Sequence, residues 1–228
     1  MSMFALSAFY FSGVDGSAVI VEVYRLAGAP TLITIPLFTL AGYLMAESKS
    51  PQRLLRFANA SLGWLPGGVA IVSLVICAFF TAFTGASGVT IIALGGLLYP
   101  ILTKEGYSEK FSLGLITTSG SLGLLFAPSL PIILYGIVAK VDIDKLFKAG
   151  LLPGILLIVV LSLWSIKNGN FSAKERIKFD ALELWNALKG GAFELFLPVL
   201  ILVGIYGGIT TVTETAALTA FYVLVLEV

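Results

Sequence analysis

The sequence predicts an all-α polytopic membrane protein, and three observations support that prediction. Hydrophobic residues account for 58% of the 228 residues and charged residues for only 12%, with a mean hydropathy of +1.01, whereas about a quarter of the residues of a soluble domain are charged. Four windows without Asp, Glu, Lys or Arg are each long enough for a bilayer-spanning helix of roughly 20 residues. A fifth window, residues 57–103, contains 47 residues without such a charge and is too long for one pass.

The four shorter windows predict single transmembrane helices. They are residues 26–46 with 21 residues, 111–139 with 29, 149–166 with 18 and 195–213 with 19. Modest tilt or snorkelling adapts helices of these lengths to the hydrocarbon thickness. The chain is therefore expected to cross the bilayer several times.

The long window predicts a helical hairpin over residues 67–103. Its middle reads Phe83-Thr84-Gly85-Ala86-Ser87-Gly88, where two glycines weaken a helix. Lipid cannot satisfy the backbone groups of such a turn, so non-helical backbone at membrane depth has to pack in protein or line a polar cavity, as in transporters with broken helices. The hairpin therefore favours a transport function.

The distribution of Lys and Arg tests whether the long window crosses once or returns. If it returns, ten basic residues share one side and four lie on the other; a single crossing gives eight against six. Only the returning path produces a positive-inside asymmetry, which places the ten in the cytoplasm. The count does not separate a re-entrant hairpin from two full spans, but the glycines near the midpoint favour the re-entrant form.

A second break is predicted in the helix over residues 111–139. Pro128 and Pro131 remove backbone donors and disfavour helix at the preceding residues, so the helix should open near residues 127–130. Carbonyl and hydroxyl oxygens around a broken helix suit Na⁺. We therefore predict a Na⁺ site between this break and the hairpin tip, with ligands among Thr84, Gly85, Ser87, Thr118, Gly120, Ser121 and Pro128. A simple proline kink is the alternative.

Two amphipathic segments predict helices that lie at the membrane interface. In residues 51–64, Leu54, Leu55, Ala58 and Leu62 form an apolar stripe and Arg53, Arg56 and Asn59 face away from it. Residues 178–189 repeat the pattern, with Asp180, Glu183 and Asn186 opposite the apolar stripe. Asp15, Glu22 and Arg25 are expected in a periplasmic loop. Both chain ends fall in apolar runs, so a partial chain is expected.

Seven short motifs occur in an order that resembles a known family, the large membrane subunit of TRAP transporters, or DctM family. The motifs are Ile35-Pro36-Leu37-Phe38-Thr39-Leu40-Ala41-Gly42, Arg56-Phe57-Ala58-Asn59-Ala60, Thr84-Gly85-Ala86-Ser87-Gly88, Lys104-Glu105-Gly106-Tyr107, Pro128-Ser129-Leu130-Pro131, Leu146-Phe147-Lys148-Ala149-Gly150 with Leu152-Pro153-Gly154, and Gly207-Gly208-Ile209 with Thr211-Val212-Thr213-Glu214. Ala127 and Val212 stand where the family often has proline.

This resemblance implies a fold and a transport system. The fold would be an elevator built from inverted repeats, each with a re-entrant hairpin and a broken helix. Residues 1–190 would form the first repeat, and residues 191–228 the truncated start of the second. The function would be Na⁺-coupled import of an organic acid, C4-dicarboxylate-like or another carboxylate, across the cytoplasmic (inner) membrane of a bacterium or archaeon. A DctP-like periplasmic binding protein and a small DctQ-like membrane subunit would be partners, and the resemblance places substrate at Ser87, Gly88 and Ser129.

Other function classes fit the sequence less well. The chain has no histidine and one cysteine, which argues against Ser–His proteases, zinc proteases and multi-cysteine metal sites. No cofactor besides the coupling Na⁺ is expected, nor is nucleic acid. A channel and a non-transporting structural subunit stay open as alternatives. Glu214 is predicted either near a helix N-terminus, stabilised by the helix dipole, or in a substrate role.

Overall fold

The computed structural model describes residues 2–13, 15–169 and 179–227, and every regular element in these residues is helical. The α-helices are α1 (Ser2–Phe11), α2 (Gly16–Ala27), α3 (Thr34–Glu47), α4 (Ser50–Leu62), α5 (Gly68–Thr84), α6 (Ser87–Lys104), α7 (Glu109–Leu122), α8 (Leu130–Ala139), α9 (Ile143–Asn168), α10 (Ala181–Gly190), α11 (Ala192–Ile201) and α12 (Val212–Glu227). A short 3₁₀ turn at Pro30–Ile33 precedes α3, and a second at Gly123–Leu125 follows α7. A π-helical turn at Leu202–Tyr206 follows α11.

Helix α5 lies at the centre of the bundle. It packs against α3, α4, α6, α7 and α9, and 14 of its 17 residues are buried. A helix that is apolar on all sides is stable only when protein or lipid surrounds it. Here, protein covers α5 except for one partly exposed stripe, Ile71, Val75 and Phe79.

Helices α5 and α6 form the predicted hairpin. Only Gly85 and Ala86 separate them, and Gly85 ends α5 with a left-handed φ of 63°. The buried residues of α6 are Thr90, Leu94, Leu98 and Leu102, which recur every four positions and make one stripe along the helix. The opposite face is open, with Ile92 82% exposed.

The second predicted break is also present. Helix α7 ends in the 3₁₀ turn, residues 126–129 are irregular, and α8 begins at Leu130 after a bend of 40°. Pro131 occupies the first turn of α8, where its missing N–H costs no intrahelical bond. The prolines thus stop one helix and start the next.

Three helical segments are long and apolar enough to span a membrane: Pro30–Glu47, Ser87–Lys104 and Ile143–Asn168. Two bent pairs, α7 with α8 and α10 with α11, raise the number to five if each pair is one span. Helix α5, with 17 residues, is shorter. These counts, made on the described residues, agree with a polytopic membrane protein.

Side-chain contacts bring several basic clusters to one end of the bundle. The hairpin returns the end of α6 to the end where α5 begins. Three pairs connect the helix ends there: Arg56 with Glu183, Arg53 with Glu194, and Phe111 with Trp164. Lys49, Lys104, Lys110 and Lys167 flank these contacts in the sequence. This arrangement supports the returning path; the depth of the hairpin in a membrane stays a prediction.

The N-terminal segment around Asp15, Glu22 and Arg25 is helical, because α2 begins immediately after Asp15. Its position on the periplasmic side stays a prediction. The Asp15 side chain caps this helix by accepting a hydrogen bond from the Ser17 N–H at 3.1 Å. The Arg25 side chain donates to Glu22 across one turn at 2.6 Å.

The amphipathic helix α4 keeps its predicted apolar stripe, with Leu54 and Ala58 buried and Arg56 exposed, and the polar faces of α4 and α10 also contact each other. The Arg56 guanidinium donates to both carboxylate oxygens of Glu183, at 2.7 and 3.1 Å, and joins α4 to α10. The outer face of α10 carries the exposed side chains of Leu182 and Trp185. Lys178, the first residue of the predicted interfacial helix, lies outside the described residues.

Two predicted spans have different limits in the structure. Helix α9 starts at Ile143 instead of residue 149. The predicted window contained only uncharged residues, whereas the first turns of the helix also include charged residues. The window 195–213 is not one helix: the helical segment ends at Tyr206, and Gly208, with φ of 68°, turns the chain before α12.

Candidate ion and substrate site at the hairpin tip

The hairpin tip contacts the start of α8. A Cβ added at Gly85 would overlap Leu130 Cγ and Cδ1 and lie 3.0 Å from Leu130 Cβ. Only glycine fits this position, because φ is left-handed and the space is filled. The structure therefore brings together the two breaks that the sequence predicted independently.

The end of α7 approaches the hairpin with equally little space. A Cβ on Gly120 would lie 2.7 Å from Ile91 Cγ1 and 3.5 Å from the Ser87 carbonyl oxygen. One turn later, a Cβ on Gly123 would overlap the Ala78 carbonyl oxygen. The backbone of the broken helix thus lies directly against the backbone of the hairpin.

Helix α3 closes the third side of the tip. A Cβ on Gly42 would lie 2.6 Å from Thr84 Cα and 2.9 Å from the Phe83 carbonyl oxygen. Gly42 belongs to the first of the seven motifs. These contacts explain why that motif position is a glycine: a larger side chain would overlap the tip.

The predicted ligand Thr84 has its hydroxyl engaged within the tip. Its Oγ1 lies 3.1 Å from Thr90 Oγ1 and 3.3 Å from the Ala86 carbonyl oxygen, and both threonines are fully buried. The pair joins the end of α5 to the first turn of α6. Ser87 and Gly88 form that first turn; Ser87 is half-buried and Gly88 is exposed, and the first amide groups of a helix have no intrahelical acceptor.

Two of the predicted Na⁺ ligands do not face the tip. Thr118 and Ser121 are exposed, whereas Ser119 and Gly120 between them are buried. The Ser121 hydroxyl donates to the Thr117 carbonyl of its own helix at 3.4 Å. Of the predicted α7 ligands, the structure therefore brings only Gly120 to the tip.

Two buried hydroxyls at this junction have no hydrogen-bond partner among the described residues. They are Thr81 Oγ1, on α5 one turn before the tip, and Ser129 Oγ, in the break beside Pro128. Both side chains are fully buried. Unpaired buried oxygens are costly, so they are available ligands for an ion or a substrate.

Thr81 was not among the ligands predicted from the sequence. Its spacing of three from Thr84, which places both hydroxyls on one face of a helix, could have indicated it. In the described part of the chain, no three His, Cys, Asp or Glu side chains group as metal ligands.

An apolar cavity of about 240 Å³ adjoins the junction. Helices α5, α9 and α11 and the break line it, with Phe83 and Ala127 nearest the tip in sequence. Its lining residues are all apolar, so it lacks the polar groups that orient an organic acid.

Glu214 has a structural partner. Its Oε2 accepts hydrogen bonds from the N–H and the hydroxyl of Thr211, at 2.8 and 2.9 Å, and the Glu214 N–H donates to Thr211 Oγ1 at 3.3 Å. This reciprocal arrangement is a capping box at the start of α12. Of the two roles predicted for Glu214, this supports the position at a helix N-terminus over the role in substrate binding.

Comparison with known families gives one decisive match. The sequence model described as "Tripartite ATP-independent periplasmic transporter, DctM component" matches residues 1–228. The chain belongs to the DctM family.

Several curated relatives match this DctM-family chain over most of its length. The C4-dicarboxylate TRAP transporter large permease protein DctM of Vibrio cholerae is 37% identical over 199 residues, which cover 86% of this chain and 44% of the relative. The ectoine TRAP transporter large permease protein TeaC of Halomonas elongata is 34% identical over 201 residues, with 86% and 46% covered. The isethionate TRAP transporter permease protein DctMQ of Oleidesulfovibrio alaskensis is 37% identical over 201 residues, with 86% and 31% covered.

These matches confirm the resemblance seen in the seven motifs. The DctM-family chain spans less than half the length of each of these three relatives. The relatives are named as permeases, in agreement with a polytopic membrane protein.

Proposed function

We infer that this DctM-family chain forms part of the large permease subunit of a tripartite secondary transporter that imports an organic acid with Na⁺. The observation that carries the proposal is the contact between the hairpin tip and the break before α8, with two unpartnered buried hydroxyls beside it. Irregular backbone inside an apolar bundle is typical of the substrate and ion sites of transporters.

The Na⁺ site is proposed at this junction. Its ligands would be the Thr81 and Ser129 hydroxyls with carbonyl oxygens of the tip and the break, around Gly85 and Pro128. Thr84, Ser87 and Gly120 line the same contact, whereas Thr118 and Ser121 would need a changed conformation to reach it. Neutral oxygens hold a monovalent ion weakly enough to release it in each cycle, and divalent ions normally require carboxylates.

The substrate is proposed to bind at the first turn of α6. Ser87 and Gly88 present free N–H groups at the positive end of the helix dipole, a natural site for a carboxylate. Ser129 lies in the facing break. The relatives are named for C4-dicarboxylate, ectoine and isethionate, and the class we propose for this chain is a small organic acid with at least one carboxylate.

The partners proposed are a DctQ-like small membrane subunit and a DctP-like periplasmic binding protein. One relative carries the name DctMQ. The ten-to-four distribution of basic residues supports an orientation with the hairpin entering from the cytoplasm. The cytoplasmic membrane of a bacterium is the proposed location, and alternating access by an elevator of two inverted repeats is the proposed mechanism.

The test is uptake by the full-length permease, reconstituted in proteoliposomes with its small subunit and binding protein. Thr81→Val and Ser129→Ala each remove one hydroxyl without adding volume, and should raise the Na⁺ concentration for half-maximal uptake. If each lost ligand contributes about 1–2 kcal/mol to Na⁺ binding, this concentration should rise roughly 5- to 30-fold. The matched control is Thr117→Val, because the Thr117 hydroxyl is exposed and donates to its own helix at 2.7 Å.

The same assay separates a carrier from a channel. A Na⁺ gradient should drive accumulation of the acid above equilibrium, with saturation at high substrate. Purely downhill, non-saturating flux would instead identify a channel. Unchanged Na⁺ dependence in both hydroxyl variants, or an equal change in Thr117→Val, would reject the proposed ion site.

A further inference from the structure

A cluster of polar side chains lies where α4, α11 and α12 meet. Arg53 Nη1 donates to Glu194 Oε1 at 2.5 Å. The Ser50 hydroxyl lies 3.4 Å from the same Glu194 oxygen and also contacts Oε1 of Glu227. Two carboxylates thus share one hydroxyl, and one of them, Glu194, also has the guanidinium.

Glu194 is buried but only half satisfied. Its side chain and that of Ser50 are 0% exposed. Glu194 Oε2 has no hydrogen-bond partner within the described residues. A buried carboxylate oxygen without a partner carries a large desolvation cost, and such an atom in a native protein calls for an ion or a water.

The charges of the cluster do not balance. Glu194 and Glu227 together contribute two negative charges, and Arg53 contributes one positive charge. The Ser50 hydroxyl has one proton and can donate to only one of the carboxylates at a time. The neighbouring Tyr222 hydroxyl donates to the Phe193 carbonyl, at 3.0 Å. Among the described residues of the cluster one negative charge is therefore left over, and its buried part is Glu194, since Glu227 is partly exposed and the Arg53 side chain is 41% exposed.

We propose that Glu194 binds a monovalent cation, Na⁺ or K⁺, through its unpaired Oε2 at the junction of α4, α11 and α12. Arg53 and Ser50 occupy the Oε1 side of Glu194, and the neighbouring Glu227 carboxylate adds to the negative charge that attracts the cation. A single positive charge neutralises the surplus, whereas a divalent ion would leave the buried cluster positive. Bound cation holds the amphipathic helix α4 to the two helices that follow α10. The site is independent of the Na⁺ site proposed at the hairpin tip.

The experiment measures thermal unfolding of the purified 228-residue chain in detergent, with NaCl or KCl exchanged for choline chloride at constant ionic strength. Choline is too large for a cluster packed this closely, so it controls for screening. A tenfold excess of cation over Kd should raise Tm by about 3–6 °C. The effect should saturate with concentration.

Variants locate the response. Glu194→Gln removes the buried charge and should abolish the difference between Na⁺ or K⁺ and choline. The matched control is Glu183→Gln, which removes a half-exposed carboxylate that is also paired with an arginine and should keep the difference. Ser87→Val, at the tip, should also keep it. Arg53→Gln removes a positive charge and so increases the surplus negative charge. This variant should keep or increase the Tm difference between Na⁺ or K⁺ and choline, although it weakens the fold.

Three outcomes would overturn the proposal. They are equal stabilisation of the wild type by choline, Na⁺ and K⁺; a full cation response in Glu194→Gln; and loss of the response in Ser87→Val with retention in Glu194→Gln. If Glu194→Gln does not fold, Glu227→Gln takes its place, and an undiminished response in that variant is equally decisive against the site.

Discussion

The close fit of Gly85 against Leu130 leads to a quantitative prediction for Gly85→Ala. Any L residue at a left-handed φ of 63° costs about 1–2 kcal/mol. The new Cβ also overlaps Leu130 Cγ, and relief of such overpacking costs about 1–3 kcal/mol more. The sum is a loss of roughly 2–5 kcal/mol, or about 4–20 °C in Tm for a chain of this size.

The assay for Gly85→Ala is thermal unfolding in detergent, with Gly88→Ala as the matched control. Gly88 lies three residues along the same tip, but its φ is ordinary and a Cβ there would meet nothing within 4 Å. Alanine at Gly88 should therefore be neutral or stabilise by up to about 1 kcal/mol.

A double variant separates the two costs of Gly85→Ala. Leu130→Ala removes the atoms that the new Cβ overlaps, so Gly85→Ala should cost about 1–3 kcal/mol less in the Leu130→Ala background than in the wild type. The backbone cost should persist there. Equal Tm values for Gly85→Ala and Gly88→Ala, or a Gly85→Ala cost that Leu130→Ala leaves unchanged, would refute the contact between tip and break.

Three further predictions concern other parts of the chain. Thr211→Ala removes the reciprocal cap of α12 and should cost about 0.5–2 kcal/mol, seen as a lower Tm; an unchanged Tm would contradict the capping role. The Arg56 side chain lowers the pKa of Glu183 below its ordinary 4.5, so this pair stabilises the fold above that pH and the contribution is lost as pH falls through the lowered pKa. Glu183→Gln should flatten the pH dependence of Tm in that acidic window, and an unaltered slope would show that the pair contributes nothing. In cells, a membrane-impermeant thiol reagent added outside should label Lys140→Cys readily and Ser87→Cys poorly while the permease faces inward; robust labelling of Ser87→Cys in every state would exclude the re-entrant hairpin.

Local chemistry made the two breaks predictable. Paired glycines and the proline pair act on the backbone of their own segment, so the tip at Gly85 and the opening before Leu130 could be located from the sequence alone. The charge-free windows predicted a membrane protein for the same reason, since lipid solubility is a property of each segment. The motif order identified the family, which the full-length match to the DctM model confirms.

Contacts between distant segments were not predictable from these local rules. Residues 56 and 183 are 127 positions apart, and periodicity showed only that each lies on a polar face. Glu194 lies in the first turn of α11, beside an apolar run, and the local sequence did not indicate that it would be buried and paired with Arg53. Asp15, Glu22 and Arg25 were assigned to a periplasmic segment from the distribution of charge, which does not show that residues 16–27 form a helix. Burial of Thr81 without a partner depends on the packing of α7, which no single segment encodes.

The packing of α5 has a mechanical consequence. Helix α5 packs against α3, α4, α6, α7 and α9, and only Ile71, Val75 and Phe79, one stripe along the helix, are partly exposed. Helix α6 has a longer open face, on which Ile92 is 82% exposed. Because five helices contact α5, we expect a displacement of α5 to move its neighbours with it, whereas α6 offers the larger surface to surrounding lipid.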